Sequence, residues 1–168
     1  MITPTTVSMI RDIVAIFGVI AGLTYYVMTV QNQNRTRKAQ MLITLQKDFS
    51  DYNMALRAYE IWNWEWKDFD DFDNKYGSHN VEETAKRYTD WFWYNNIGLM
   101  LKNKLLEKDT LYDLFGTSFI ITWERWEPII KEYRLRTYGS TYLVYYEFLA
   151  DQMRLVHKNR NIAWESTL

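Results

Sequence analysis

The run Asp68-Phe69-Asp70-Asp71-Phe72-Asp73 is the first candidate for cation chemistry. An EF-hand loop needs oxygen ligands at positions 1, 3 and 5, glycine at 6 and glutamate at 12. Counting from Asp68 puts Phe72 and Asp73 at positions 5 and 6, and counting from Asp71 puts Lys75 and Tyr76 there. Neither register builds the loop. What remains is an irregular, weak cation site or a surface loop pinned by Phe69 and Phe72. Glu124 and Glu127 lie one helical turn apart in Trp123-Glu124-Arg125-Trp126-Glu127. Paired carboxylates can do acid–base work, but Arg125 and nearby bases assign these two to structural ion pairs. His79 and His157 are the only imidazoles, and neither sits in an HExxH or Glu-x-x-His pattern, which argues against zinc-protease and carboxylate di-iron sites. No P-loop, GxGxxG or GxSxG occurs. Cysteine is absent, so disulfides, zinc–thiolate sites and thiol catalysis are excluded; a reducing compartment fits. The expectation is therefore no catalytic, cofactor-binding or metal-ligating residue and no enzyme activity.

Aromatic residues make up 17% of the chain, including eight Trp. Trp62, Trp64 and Trp66 alternate, and Trp91, Phe92, Trp93 and Tyr94 encircle a helix, so some must face outward. Trp62, Trp64, Trp66, Trp91 and Trp93 are thus candidate interface aromatics, toward protein or lipid headgroups. The alternative is thick aromatic packing between helices. Nucleic acid is not an expected partner, because the net charge is −1 and the aromatics sit among acids. Residues 48–90 hold eleven acids against five bases, and 129–162 hold six bases against three acids. These patches either pair within the fold or between subunits, or are simply solvated.

The element that would place everything else is the uncharged stretch 13–30, IVAIFGVIAGLTYYVMTV. At a rise of ~1.5 Å per residue it spans roughly 27 Å, the thickness of a bilayer core. Thr24 and Thr29 can bond back to their own helix, and Tyr25 and Tyr26 suit a headgroup layer. A cleaved leader would want a basic start and a small-x-small site, whereas the chain opens MITPTTVSMI. A buried core helix would want a polar face, which this stretch lacks. Arg11 and Asp12 cancel on one flank, while Arg35, Arg37 and Lys38 follow the other. By the positive-inside rule these three are the topology determinants, and they put the soluble part in the cytoplasm. Gly18 and Gly22, with Ala15 one turn earlier, form a small-residue pattern. Such residues let helix backbones approach closely in lipid. Self-association, docking on a partner helix and ordinary glycine use all remain open.

Beyond the anchor, helical spacing recurs without internal repeat, low-complexity tract or linker. Polar 31–38 is helix-compatible, and Met41, Leu42, Leu45 and Phe49 continue the pattern. Ser50 or Asp51 can cap a helix over 52–64. Residues 65–80 are rich in Asp, Asn, Gly and Ser and predict a non-helical stretch. A long helix is expected from Val81 to about Lys104, capped by Ser78 or Asn80, with Glu82 and Glu83 suiting its dipole and Gly98 at a close helix contact. Asp109 would cap a short helix ending at 115–116. Thr117 or Ser118 would open another, kinked at Pro128 and ending before Gly139. Ser140 or Thr141 would cap the last, with a frayed tail from Asn159. The fold class is all-α: an N-terminal transmembrane helix continuing into a stalk, then an antiparallel helical bundle. The divisions are a short N-terminal tail (1–12), transmembrane helix (13–30), juxtamembrane helix (31–50), helical soluble domain (51–158) and C-terminal tail (159–168).

The segments NRTRKAQMLITLQKDFSD, WEWKDFDDFDNKYG, LFGTSFIITWERWEPII and YYEFLADQM occur in an order that resembles an uncharacterised family of archaeal and bacterial membrane-anchored helical proteins, a domain of unknown function. The resemblance implies a membrane tether and an interaction role, and it supplies no catalytic residues. The expected function is a non-catalytic, single-pass, membrane-anchored interaction or scaffold module of the cell membrane. Its partners would be membrane lipid and either a second copy or another membrane protein, engaged through the transmembrane helix. One alternative is an accessory subunit of a larger integral-membrane enzyme complex; another is an enzyme of unrecognised type.

Overall fold

The structure is a computed structural model that describes residues 4–160. Among the described residues there are seven α-helices, one π-helical turn and no strand. The chain divides into two compact units, residues 1–44 and 45–168. The expected C-terminal tail, 159–168, lies outside the described residues from 161 onward.

The first unit is a single helix. α1 runs Pro4–Phe49, its last turn belonging to the second unit. Residues 4–12, expected to be a tail, are helical. Residues 11–28 are all exposed, and none of the most apolar window is buried. Thr24 and Thr29 donate to the carbonyls of Ile20 and Tyr25, each at 2.8 Å. Their hydroxyls are thereby satisfied within the helix, which lets them sit on an otherwise apolar surface. A methyl group placed on Gly18 or Gly22 would meet nothing within 4 Å, so the face they share with Ala15 is uncovered.

The second unit is a helical bundle built on α2 (Tyr52–Trp62), α3 (Phe69–Tyr76), α4 (Val81–Lys102), α5 (Lys108–Phe115), α6 (Ser118–Tyr133) and α7 (Val144–Asn159). Local caps explain several starts. Asp51 accepts from Met54 N at the start of α2, and Asn80 accepts from Glu83 N at the start of α4. α3 corrects the expectation of a loop over 65–80. Asp68 caps it by accepting from Asp71 N at 2.9 Å. Asp70 and Asp71 occupy its first turn and Lys75 its last, an arrangement that the helix dipole favours. Phe69, Phe72 and Tyr76 then fall on one face.

α4 and α7 form the most extensive helix pair. Gly98 makes it possible: a Cβ there would lie 1.8 Å from the Tyr145 carbonyl oxygen. One turn away, Asn95 Oδ1 accepts from Tyr145 N at 3.1 Å and Tyr146 N at 3.3 Å. The first turn of α7 is therefore capped from another helix. Ser140 and Thr141 do not cap it; its N-cap is Leu143, in a left-handed conformation with φ 54° and no side-chain cap of its own. Asp109 likewise does not cap α5, whose N-cap is Glu107; Asp109 lies in its first turn. α6 passes through Pro128 and leads into the π-helical turn Arg134–Tyr138. Gly139, at φ 80°, ends that turn with a backbone geometry that side chains resist.

The core is aromatic. Trp91, Trp123, Trp126, Phe72, Phe119 and Tyr146 are among the fully buried side chains. Trp64 stacks on Tyr76 at 4.1 Å and Tyr94 on Tyr146 at 4.7 Å.

Candidate functional site

Helix α4 carries two charged residues into the bundle, one turn apart. Arg87 is 0% exposed and Asp90 is 3% exposed. Burying an ionised group is costly unless it is paired or hydrogen-bonded. Neither residue has a hydrogen-bond partner: all three Arg87 nitrogens and Asp90 Oδ1 are sealed and unpartnered among the described residues.

The two environments differ. The Arg87 guanidinium carbon lies 4.6 Å from the Tyr133 ring centre, 4.9 Å from Trp91, 5.3 Å from Tyr88 and 5.8 Å from Phe72. These four rings come from α3, α4 and α6. Their negative π faces stabilise a cation that has lost its water. Around this cage, Tyr133 donates to Asp73 Oδ1 and Tyr88 to the Tyr138 hydroxyl, each at 2.6 Å. Burial raises the Tyr88 hydroxyl to about 12, so it stays protonated.

Asp90 faces a groove of about 300 Å3 between α2, α4 and α6. Its walls include Phe49, Tyr59, Trp62, Tyr94 and Trp126, with Ser118 and Thr122 as further polar groups. Desolvation pushes the Asp90 carboxyl up to about 6, against a weaker pull from the charge of Arg57. Arg57 makes no salt bridge with it, and the Arg57 Nε is itself buried and unpartnered. A carboxylate so placed can accept a hydrogen bond from a cation brought to it.

The candidates from sequence spread over several settings. Trp91 is fully buried and Trp64 is 7% exposed, so both belong to the core and leave the set of interface aromatics. Trp66 and Trp93 are half-buried, and Trp62 lies at the surface, 37% exposed. The Trp62 and Trp66 rings hold the Arg125 guanidinium at 4.9 and 4.7 Å, and Arg125 donates to the Trp64 carbonyl at 2.6 Å. Glu127 pairs with Lys131 and Glu124 with Arg154. In the acidic run, Asp68 caps α3 and Asp70 pairs with Arg136 at 2.6 Å. Asp71 pairs with Lys75, whose hydrogen bond holds its carboxyl below the usual range, and Asp73 accepts from Tyr133. Protein donors thus occupy every carboxylate of that run. Among the described residues, no group of three or more His, Asp or Glu could hold a metal ion. Ala15, Gly18, Gly22, Arg35 and Arg37 lie on exposed surface of α1, and Lys38 is half-buried there.

Sequence reasoning missed Arg87 and Asp90. Their spacing of three in an otherwise aromatic helix, RYTDWFWY, was the available signal, since one face cannot hold both those charges and Trp91 without burying one of them.

A long apolar N-terminal helix and an aromatic-cored helical bundle define the class of protein. Residues 12–153 match the model of a domain of unknown function (DUF4760), which covers both the apolar stretch and most of the bundle, and the chain belongs to that family. No curated protein and no solved structure matches the chain at a significant level.

Proposed function

We propose that this protein is a non-catalytic, single-pass membrane protein whose helical bundle serves as an interaction module on the cytoplasmic side. The observation that carries the reading is α1. It is long and apolar enough to cross a membrane, and none of its most apolar window is buried by the protein itself. An exposed apolar surface of that length in water would drive aggregation, and hydrocarbon removes the cost. Arg35, Arg37 and Lys38 support the cytoplasmic orientation. The uncovered face of Ala15, Gly18 and Gly22 supports a helix partner in the membrane, either a second copy or another membrane protein. The same face supports the role of accessory subunit in a larger membrane enzyme.

Fractionation of cells expressing the full chain tests the anchor. The protein stays with membranes through alkaline carbonate and is released by detergent; recovery in the soluble fraction without detergent refutes the proposal. Crosslinking in native membranes, followed by mild-detergent copurification, separates self-assembly from assembly with a different protein. A lone monomer with no crosslinked neighbour removes the interaction role. The groove supports binding more than catalysis, since Asp90 is its only carboxylate and no imidazole lines it among the described residues.

A further inference from the structure

The Asp90 groove has a property that the proposed tether and partner role leave unused. Its carboxylate is almost fully buried and accepts no hydrogen bond among the described residues. The wall around it is mostly aromatic and apolar. A buried anion without a partner is costly, and a cation that enters the groove removes that cost. The cation is not a metal ion, because one carboxylate cannot replace a hydration shell and no cluster of ligands surrounds it among the described residues. Rings are the complementary surface for an organic cation, whose charge they attract and whose apolar body they cover. The same helix already demonstrates the chemistry at Arg87, where four rings hold a guanidinium that has no hydrogen bond.

We propose that the groove between α2, α4 and α6 binds a small organic ammonium ion, its N–H donated to Asp90 and its apolar body laid against Phe49, Tyr59 and Trp62. The volume of about 300 Å3 lies at the small end of ligand sites, roughly 300–1,000 Å3. One ring with a short amine side chain fits such a space; a nucleotide does not, and its phosphates would meet the carboxylate. Tyr59 is 71% exposed and Phe49 41%, so the outer wall is open to an entering ligand. Arg57 is the competing cation. Its charge acts on Asp90 without a salt bridge, so it weakens the site's pull on an ammonium without filling it.

The test is a titration of the full chain in detergent micelles at pH 7.5 with phenethylamine, and with phenethyl alcohol as the neutral counterpart. Tryptophan fluorescence and calorimetry read the binding against protein-free micelles. Saturable binding of the amine is expected, at least about tenfold tighter than the alcohol, the factor that one charge-assisted hydrogen bond supplies. Asp90→Asn, nearly isosteric, removes that tenfold preference while the helical signal stays intact and the protein melts no lower than wild type. Tyr59→Ala, at an exposed position, weakens both probes together. Arg57→Gln tightens the amine. Equal binding of amine and alcohol, no saturation below about 10 mM, or an amine preference that survives Asp90→Asn overturns the proposal. So does an Arg57→Gln variant that unfolds, since Arg57 would then be the partner of Asp90. None of these outcomes bears on the membrane anchor.

Discussion

Arg87 and Asp90 occupy the same helix, the same depth and the same state of hydrogen-bond poverty, yet their surroundings answer them differently. Arg87 is enclosed by four rings. Asp90 is left beside an open groove whose largely apolar wall offers its carboxylate no hydrogen-bond donor. An aromatic interior is therefore a selective solvent. It stabilises a buried cation without any acceptor, and it penalises a buried anion until a positive group arrives.

Four measurements on the full chain in detergent probe this contrast. The largest effect is expected where both residues would lose their frame. Gly98→Val drives a Cβ toward the Tyr145 carbonyl, 1.8 Å away. It should cost about 3 kcal/mol or more, read as a large fall in melting temperature; an unchanged melt would show that α4 and α7 do not pack through Gly98.

Asp90→Asn comes next and has the opposite sign. The folded-state carboxyl is raised from 3.8 to about 6 by desolvation. A raised carboxyl favours folding fully below the unfolded value and loses that contribution as pH rises through the folded value. The stability gain of Asp90→Asn should therefore be near zero below about pH 4 and grow to its limit above about pH 6. That limit is on the order of 2–3 kcal/mol. Chemical denaturation at pH 4.5 and 7.5 checks it. A variant less stable than wild type at pH 7.5 would mean that Asp90 has a partner in the folded protein.

Arg87→Met keeps the bulk of the side chain and removes the charge. It should cost about 1 kcal/mol, the cage attraction being partly offset by the relieved desolvation. A stabilised variant would show that the rings do not hold the charge. The smallest effect concerns the helix that α4 caps. Asn95→Ala leaves the Tyr145 amide without its acceptor, while the Tyr146 amide keeps the Leu143 carbonyl at 3.1 Å, and should cost about 0.5 kcal/mol. Faster amide exchange confined to the first turn of α7 checks it, and unchanged exchange there would assign that cap elsewhere.

Much of the architecture was legible from local pattern. The helix over 81–102, its Asn80 cap and the close contact at Gly98 follow from spacing, cap chemistry and a lone glycine in a long apolar face. α3 escaped because Asp, Asn and Gly favour turns as well as helix ends; Asp68 is a cap, and Phe69, Phe72 and Tyr76 are a helical stripe. The starts of α5 and α7 escaped for a different reason. Asp109 sits inside α5 and not at its cap. α7 takes its cap from Asn95, fifty residues away from Tyr145 in the chain.

What the amino-acid order determined by itself was the apolar helix, the helical periods and the caps of α2 and α4, because each depends on residues within a few positions of one another. The spacing of Arg87, Asp90 and Trp91 signals a buried charge, but only the tertiary structure decided what met the two charges. The rings around Arg87 and the walls around Asp90 come from helices far apart in the chain. Solvation of a charge is a property of everything within a few ångströms in space, which no local pattern encodes.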